Sequence, residues 1–523
     1  MYCVSPGPRA GVFRLPAPPP FHANPPVSFT EHPLHAVFVG VYLLALIGVG
    51  ALKAGKIKSQ EDFSLAGRGL GTFVLVGTLL ATWMGTGSIF GNAQKTYEIG
   101  VGAFILPVAG VLGIMILWRL AGRIRSLEQV TIQDILERRF GVATRIIGMV
   151  ALMLAYVIIV SYQYRAGAAV VGRLLPGLEG AEWFGIEGSA WAVIAVAVFV
   201  IAYTALAGMF SVAYTDVVNG VVMVVGIFIA LPILFFQVGG FSGISESLPA
   251  AQLSMTSSYT PIKLVNWLMP AFLLILGDAN VYQRFFSARN ATVARRSAAW
   301  LILGIGVMEC AIIALALLGR TLVEQGQLAA PDNPAHIVVS IAFDALPPIL
   351  GAMLMATVIA IVVSTADSFL LAPSTSFVRD VYKRFLRPQA SEANVVFLGR
   401  VVVVIFGFVA LGLAFTSDNF FEVALFAYTI YGASITPVML AAFFWPRATR
   451  AGATWSMLTG VVVALGWQWA QMAGGIEALG GAVGWAGLGN VDAVLPALTL
   501  SILVLVVVSL LTKHPGTLED RVV

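Results

Sequence analysis

Apolar residues run in long blocks along this chain, and polar residues collect between the blocks. A helix needs about 20 residues to cross the hydrocarbon of a bilayer. The pattern predicts thirteen such helices, at 35–52, 72–94, 101–121, 143–173, 189–207, 214–238, 263–286, 297–320, 346–372, 396–415, 422–444, 452–473 and 491–512. Residues 1–33 are polar and Pro-rich, which predicts a disordered extracellular tail. That tail lacks the apolar stretch and cleavage site of a signal peptide. A short cytoplasmic tail, 513–523, closes the chain.

Composition narrows the class. Of 523 residues, 59% are hydrophobic and only 11% are charged, against about 25% charged in a soluble domain. So little charge cannot cover so much apolar surface in water. A soluble enzyme, a nucleic-acid binder and a disordered scaffold are excluded, and the lipid bilayer is the expected solvent. The net charge of +4 is too small to point to a polyanion. Its placement is more telling. Twenty-three of the 30 Lys and Arg residues fall in one set of alternate loops, which predicts an N-terminus outside and a C-terminus in the cytoplasm of a plasma-membrane protein. The two cysteines, Cys3 and Cys310, form no metal spacing, and no nucleotide-binding loop is present. That leaves secondary transport, driven by an ion gradient.

In lipid, polar exceptions carry the information. Span 72–94 holds Ala81-Thr82-Trp83-Met84-Gly85-Thr86-Gly87-Ser88. Each Gly weakens a helix by about 1 kcal/mol against Ala, so a break is expected there, and freed carbonyls can bind a cation. Small residues also serve close helix packing, and the segment alone leaves both readings open. Span 346–372 holds Ser364-Thr365-Ala366-Asp367-Ser368. Positions 361, 364 and 365 share a helical face. Hydroxyls with a backbone carbonyl suit Na⁺, a hard cation, though a hydroxyl-rich helix contact has the same pattern. Ala81 lies about 13 Å and Ser364 about 12 Å above the cytoplasmic ends of their spans. At one depth, both can serve one site.

Further polar groups lie in other spans. Asp278, in Gly277-Asp278-Ala279-Asn280, can meet a solute or a cation, or pair with a neighbouring helix. Gln163 and Arg165 stand in span 143–173. An Arg at mid-bilayer costs about 2.5–3.5 kcal/mol; it can clamp a carboxylate, or snorkel or pair in the outer half. Asp216 can help release a cation, or simply favour a helix N-terminus. Thr86, Ser88, Gln163, Arg165 and Asp278 are the candidate solute contacts.

Several stretches taken together resemble the sodium/solute symporter family, which includes the sodium/glucose, sodium/proline, sodium/pantothenate and sodium/monocarboxylate carriers. They are Glu61-Asp62-Phe63-Ser64-Leu65-Ala66-Gly67-Arg68, the Gly/Ser segment at 81–88, Tyr203-Thr204 through Tyr214-Thr215-Asp216, Gln283-Arg284, and Ser364-Thr365 followed by Arg379-Asp380-Val381-Tyr382-Lys383. The resemblance runs from about residue 35 to 512. It implies an all-α membrane protein with the inverted five-helix repeat of a leucine-transporter-like fold. The repeats would span 72–238 and 263–444, with a peripheral span at 35–52 and two more in 452–512. It also implies a sodium ion held by carbonyls of Ala81, Met84 and Ile361 and hydroxyls of Ser364 and Thr365, with Asp216 as the family's acid.

Departures bear on the solute. Asp278-Ala279 stands where sugar carriers have Asn-Gln, and Trp83 where proline carriers have Asp. Both argue against sugar and proline, and Arg165 leans toward a carboxylate-bearing solute. The expected function is sodium-coupled symport of a small organic solute by alternating access. A proton-coupled carrier using Asp216, Asp278 or Asp367 is the nearest alternative. A membrane solute sensor with a separate signalling partner is the other. No pair of nucleophile and base supports an enzyme.

Overall fold

The computed structural model describes residues 33–54, 59–178, 181–256, 259–416, 419–484 and 486–513. All but the innermost residue of each expected tail, 1–33 and 513–523, lies outside them, as do Lys56 and Lys58. The chain begins with α1 (Pro33–Ala54) and an interrupted pair, α2 (Thr72–Trp83) and α3 (Gly87–Ile105). There follow α4 (Pro107–Ser126), a short α5 (Ile132–Phe140) and α6 (Val142–Leu174). Next come α7 (Gly188–Leu206), α8 (Ser211–Gln237), α9 (Pro261–Gly277), α10 (Ala279–Ser287) and α11 (Ala291–Glu324). The central α12 (Pro348–Phe377), then α13 (Glu392–Leu413), α14 (Phe420–Phe444), α15 (Arg450–Met472) and α16 (Val494–Leu511) complete the helical body.

Among the described residues, ten helical runs are long and apolar enough to cross a membrane, and the bent α2–α3 pair makes eleven. The helices α1 and α15, of 22 and 23 residues, account for the two remaining blocks of the sequence pattern. The pattern did not anticipate the two-residue strands Glu182–Trp183 and Ile186–Glu187, which pair in a small turn.

Burial follows from lipid as the outer solvent. Leu44, Phe73 and Phe236 are exposed at the periphery, where the surrounding phase is as apolar as they are. The most apolar stretch of α12 is 83% buried inside the protein, whereas that of α16 is 28% buried. The hydroxyl and carboxyl groups of α12 therefore sit at the centre of the body, away from lipid.

Three joints set the geometry. The first, between α2 and α3, bends by 52°. The second is at Asp278, which ends α9 with φ −62° and ψ 115° and caps α10 by accepting from the Val281 amide. The sequence pattern marked this carboxylate but not the break. The third joins α7 to α8. Tyr203 Oη donates to Thr215 Oγ1 at 2.9 Å across 12 residues, which would span about 18 Å in a continuous helix. The chain must therefore turn back between them, and Gly208 makes the turn with φ +62°, a conformation that costs glycine least.

At the Lys/Arg-rich end, Arg145 of α6 gathers three carboxylates. It pairs with Glu137 at 2.5 Å, Asp380 at 2.9 Å and Asp134. Arg384 adds a second pair to Glu137 at 2.7 Å. Thr131 and Asp134 form a reciprocal cap at the start of α5, so the acid is fixed before it meets Arg145.

Close helix packing yields a direct expectation. A Cβ at Gly460 of α15 would lie 2.6 Å from the Ala433 carbonyl and 2.7 Å from Ser434 Cα, both backbone atoms of α14. Backbone cannot rotate away. Gly460→Leu is expected to destabilise the protein by about 1–3 kcal/mol, read as a lowered midpoint of thermal unfolding in detergent. Gly466→Leu on the same helix, where nothing lies within 4 Å, should leave the midpoint in place.

Candidate functional site

The site grows from the interruption of α2. The helix ends at Trp83, and Met84 leaves it with ψ 81°. The Gly85 amide then turns back to the Trp83 carbonyl at 2.9 Å, and the Ser88 and Ile89 amides both reach the Gly85 carbonyl. Gly85 is needed for its lack of a side chain. A Cβ there would stand 3.0 Å from Thr365 Cγ2 and 3.2 Å from Thr365 Oγ1. Its absence lets α12 come against the break, so that Thr365 Oγ1 donates to the Met84 carbonyl at 3.4 Å. The two polar segments singled out in sequence, 284 residues apart from Ala81 to Thr365, are thus in contact. Ala81, Met84, Ile361, Ser364 and Thr365 are all buried.

Behind it lies a charged cluster. Ser364 Oγ donates to Asp216 Oδ1 at 2.7 Å, and Thr78 Oγ1 donates to Asp216 Oδ2 at 2.5 Å. Arg284 Nη2 stands 3.3 Å from Asp216 Oδ2 and donates to Ser368 Oγ at 2.7 Å. Ser368 Oγ in turn donates to Asp367 Oδ1 at 3.2 Å. Asp216, Asp367 and Arg284 are all essentially without solvent exposure. The guanidinium thus meets one carboxylate directly and reaches the second, Asp367, through Ser368. Asp216 lies within α8 rather than at its first turn, bonded to α2 and α12, so it is more than a helix-terminal acid.

On the other side of the break is a cavity of about 70 Å³. Trp83, Ser88, Asp278, Glu309, Thr365 and Tyr428 are among its lining residues. Asp278 pairs with no Lys or Arg among the described residues. Its Oδ1 accepts from the Val281 amide at 3.0 Å and from Tyr156 Oη at 3.2 Å. Thr86 Oγ1 donates to Gln163 Oε1, and Gln163 Nε2 has no partner among the described residues. That free amide group lies 3.5 Å from the place a Gly85 Cβ would take.

Arg165 is not brought to this site. It donates to the Ala414 carbonyl at 2.8 Å and lines a separate cavity with Arg173, His336 and Asp344. The lean toward a carboxylate-bearing solute rested on Arg165, and it loses that support.

Sequence reasoning passed over Glu309 of α11. Ser88 Oγ donates to its Oε1 at 2.6 Å and Asn92 Nδ2 to its Oε2 at 2.8 Å. The signal was present, because a lone carboxylate inside an apolar block is expensive in lipid. Arg284 was noted only as part of a motif. Its pairing with Asp216 needed the fold.

Comparison with known proteins bears on the family and the fold. The profile of the sodium:solute symporter family matches residues 63–460. The sodium/proline symporter of Salmonella typhimurium is 28% identical over 500 residues, covering 92% of this chain and 94% of its own. The high-affinity proline transporter of Bacillus subtilis is 27% identical over 442 residues, covering 81% of this chain and 89% of its own. Among solved structures, a substrate-bound, outward-open Na⁺-coupled sialic acid symporter superposes with a TM-score of 0.77 at 17% identity, over 94% of this chain and all of that one. A nucleobase-cation-symport-1 family transporter in a closed conformation superposes with a TM-score of 0.56 at 15% identity, over 88% of this chain and 97% of that one. These two likenesses concern the fold.

Proposed function

This chain belongs to the sodium:solute symporter family and is a multi-pass, sodium-coupled solute carrier rather than an enzyme; from that premise we propose that it binds Na⁺ at the α2–α12 junction and a small organic solute in the adjacent cavity. The observation that carries the ion site is the 3.4 Å approach of Thr365 Oγ1 to the Met84 carbonyl across the broken helix. Hard cations of this size take oxygens at about 2.3–2.6 Å, so neighbouring ligands of an octahedral shell stand about 3.3–3.7 Å apart. The spacing suits a shared ion. Carbonyls of Ala81 and Ile361 and the Ser364 hydroxyl supply the remaining oxygens in this reading.

Asp216 then acts on the ion through Ser364. An ion drawing on the Ser364 oxygen strengthens the donation to Asp216, and a change at Asp216 is felt by the ion. This suits a role in release. The cavity shares Thr365 with the ion site and Trp83 and Gly85 with the break. Ion binding that fixes the break therefore shapes the solute cavity, and the solute must tighten the ion by the same factor. The bacterial relatives named above are proline carriers and the solved neighbour carries sialic acid; a small organic solute is the corresponding class here.

Both expected repeats, 72–238 and 263–444, open on an interrupted helix, α2–α3 and α9–α10. That supports the repeat boundaries and an alternating-access motion of one against the other. The excess of Lys and Arg supports placing the Arg145 end in the cytoplasm of a cell-membrane protein.

Concentration jumps on proteoliposomes test the coupling ion. Sodium jumps should evoke charge movement that saturates with Na⁺, while a pH jump in sodium-free buffer should not. Equal charge movement with protons alone would replace sodium by the proton-coupled alternative.

A further inference from the structure

We propose that the co-transported solute carries a positively charged nitrogen, received by Glu309 of α11, which lines the cavity beside the interrupted helix. The inference rests on the reading of that cavity as the solute site. Its carrier is an uncompensated carboxylate. Glu309 is 4% exposed, and among the described residues no Lys, Arg or His pairs with it. A buried charge without a partner is costly, and inside a membrane span such a group marks a functional site.

Its hydrogen bonds leave it able to accept more. Ser88 and Asn92 each donate to one oxygen, and a carboxylate offers about four acceptor positions. Both donors come from α3, so they aim the carboxylate without neutralising it. The other lining acid, Asp278, is already engaged in capping α10 and accepting from Tyr156. Asp278 is thus fixed to the start of α10 through a backbone amide, whereas Glu309 is held by side chains alone.

The walls favour the same class of ligand. Trp83, Tyr162, Trp267, Phe369, Phe421 and Tyr428 line the cavity, and no Lys or Arg does. Aromatic faces attract a cation within about 6 Å of the ring centroid. Two of these rings already do so. Lys95 Nζ lies 5.0 Å from the Trp267 centroid and 5.1 Å from that of Phe421. Lys95 is itself paired with Glu98 at 2.6 Å, so it does not compensate Glu309.

The placement also explains coupling. Glu309 is bound to α3 immediately after the break, and the break carries the proposed ion ligands. A cation held by Glu309 engages α3 and α11 together, which links solute binding to the geometry the ion requires.

The test uses matched probes that differ at the nitrogen. Proline is set against cyclopentanecarboxylate, and choline against 3,3-dimethylbutanol. Each is applied to the purified full chain in saturating Na⁺, with thermal stabilisation and transport current in proteoliposomes as readouts. At least one nitrogen-bearing member should stabilise the protein and evoke sodium-dependent current, while its isostere does not. Glu309→Gln should raise the half-saturating concentration roughly tenfold or more, and Glu309→Asp should retain the preference for nitrogen. Stabilisation by Na⁺ alone, measured without solute, reports whether the variants fold and whether the ion site survives.

Three results would overturn the proposal: isosteres acting as well as the nitrogen compounds, no response to either nitrogen compound while Na⁺ still stabilises, or a well-folded Glu309→Gln with unchanged affinity. Loss of the sodium response in the unmutated protein would instead sink the ion-site reading.

Discussion

Replacing Arg284 with methionine is expected to destabilise the protein by about 3–5 kcal/mol. Methionine keeps much of the length of the side chain and removes the guanidinium. Arg284 is 1% exposed and bonds to Thr78, Asn280, Asp216 and Ser368. Without it, Asp216 remains buried with only the Thr78 and Ser364 hydroxyls as partners, and Asp367 with only Ser368. The measurement is the midpoint of thermal or denaturant unfolding in a fixed detergent. Pairing Arg284→Met with Asp216→Asn should recover part of the loss, since the second change removes the stranded charge. An Arg284→Met protein as stable as the parent would mean that water or another group compensates these acids.

The second large effect concerns the ion. Thr365→Ala removes a hydroxyl that meets the Met84 carbonyl, and Ser364→Ala removes one that also donates to Asp216. Interactions of a polar group with a charge contribute about 1.5–3 kcal/mol, so each substitution should raise the half-saturating sodium concentration about 10–100-fold. Thr365→Ser, which keeps the oxygen, should stay near the parent value. Sodium jumps on proteoliposomes and sodium-dependent thermal stabilisation give independent readings. Unchanged sodium dependence in both alanine variants would remove the ion from this junction.

How much of this could be read from the chain depended on whether the signal was local. The ten spanning runs, eleven with the bent pair, follow from block hydrophobicity, and the break after Trp83 follows from Gly85 and Gly87 lying among hydroxyl residues. The break at Asp278 has no such crowding. Leu-Ile-Leu-Gly before it and Ala-Asn-Val-Tyr after it continue the apolar pattern, so the acid was legible as a charge but not as a cap. Arg165 shows the opposite failure. Its chemistry was legible, but its partner is the Ala414 carbonyl, 249 residues away, and no periodicity encodes that. Glu309 was visible as a solitary acid in an apolar block. Only the fold reveals that Ser88 and Asn92 turn it toward the cavity.

The turn between α7 and α8 has a mechanical consequence. Four residues, 207–210, separate the two helices, and the Tyr203–Thr215 bond clamps them just beyond the bend. A link so short leaves no slack. A shift of α8, which carries the buried Asp216, is therefore expected to carry α7 with it as the second arm of one lever. Lengthening that link is expected to let the arms slip independently and uncouple the buried acid from the far end of α7.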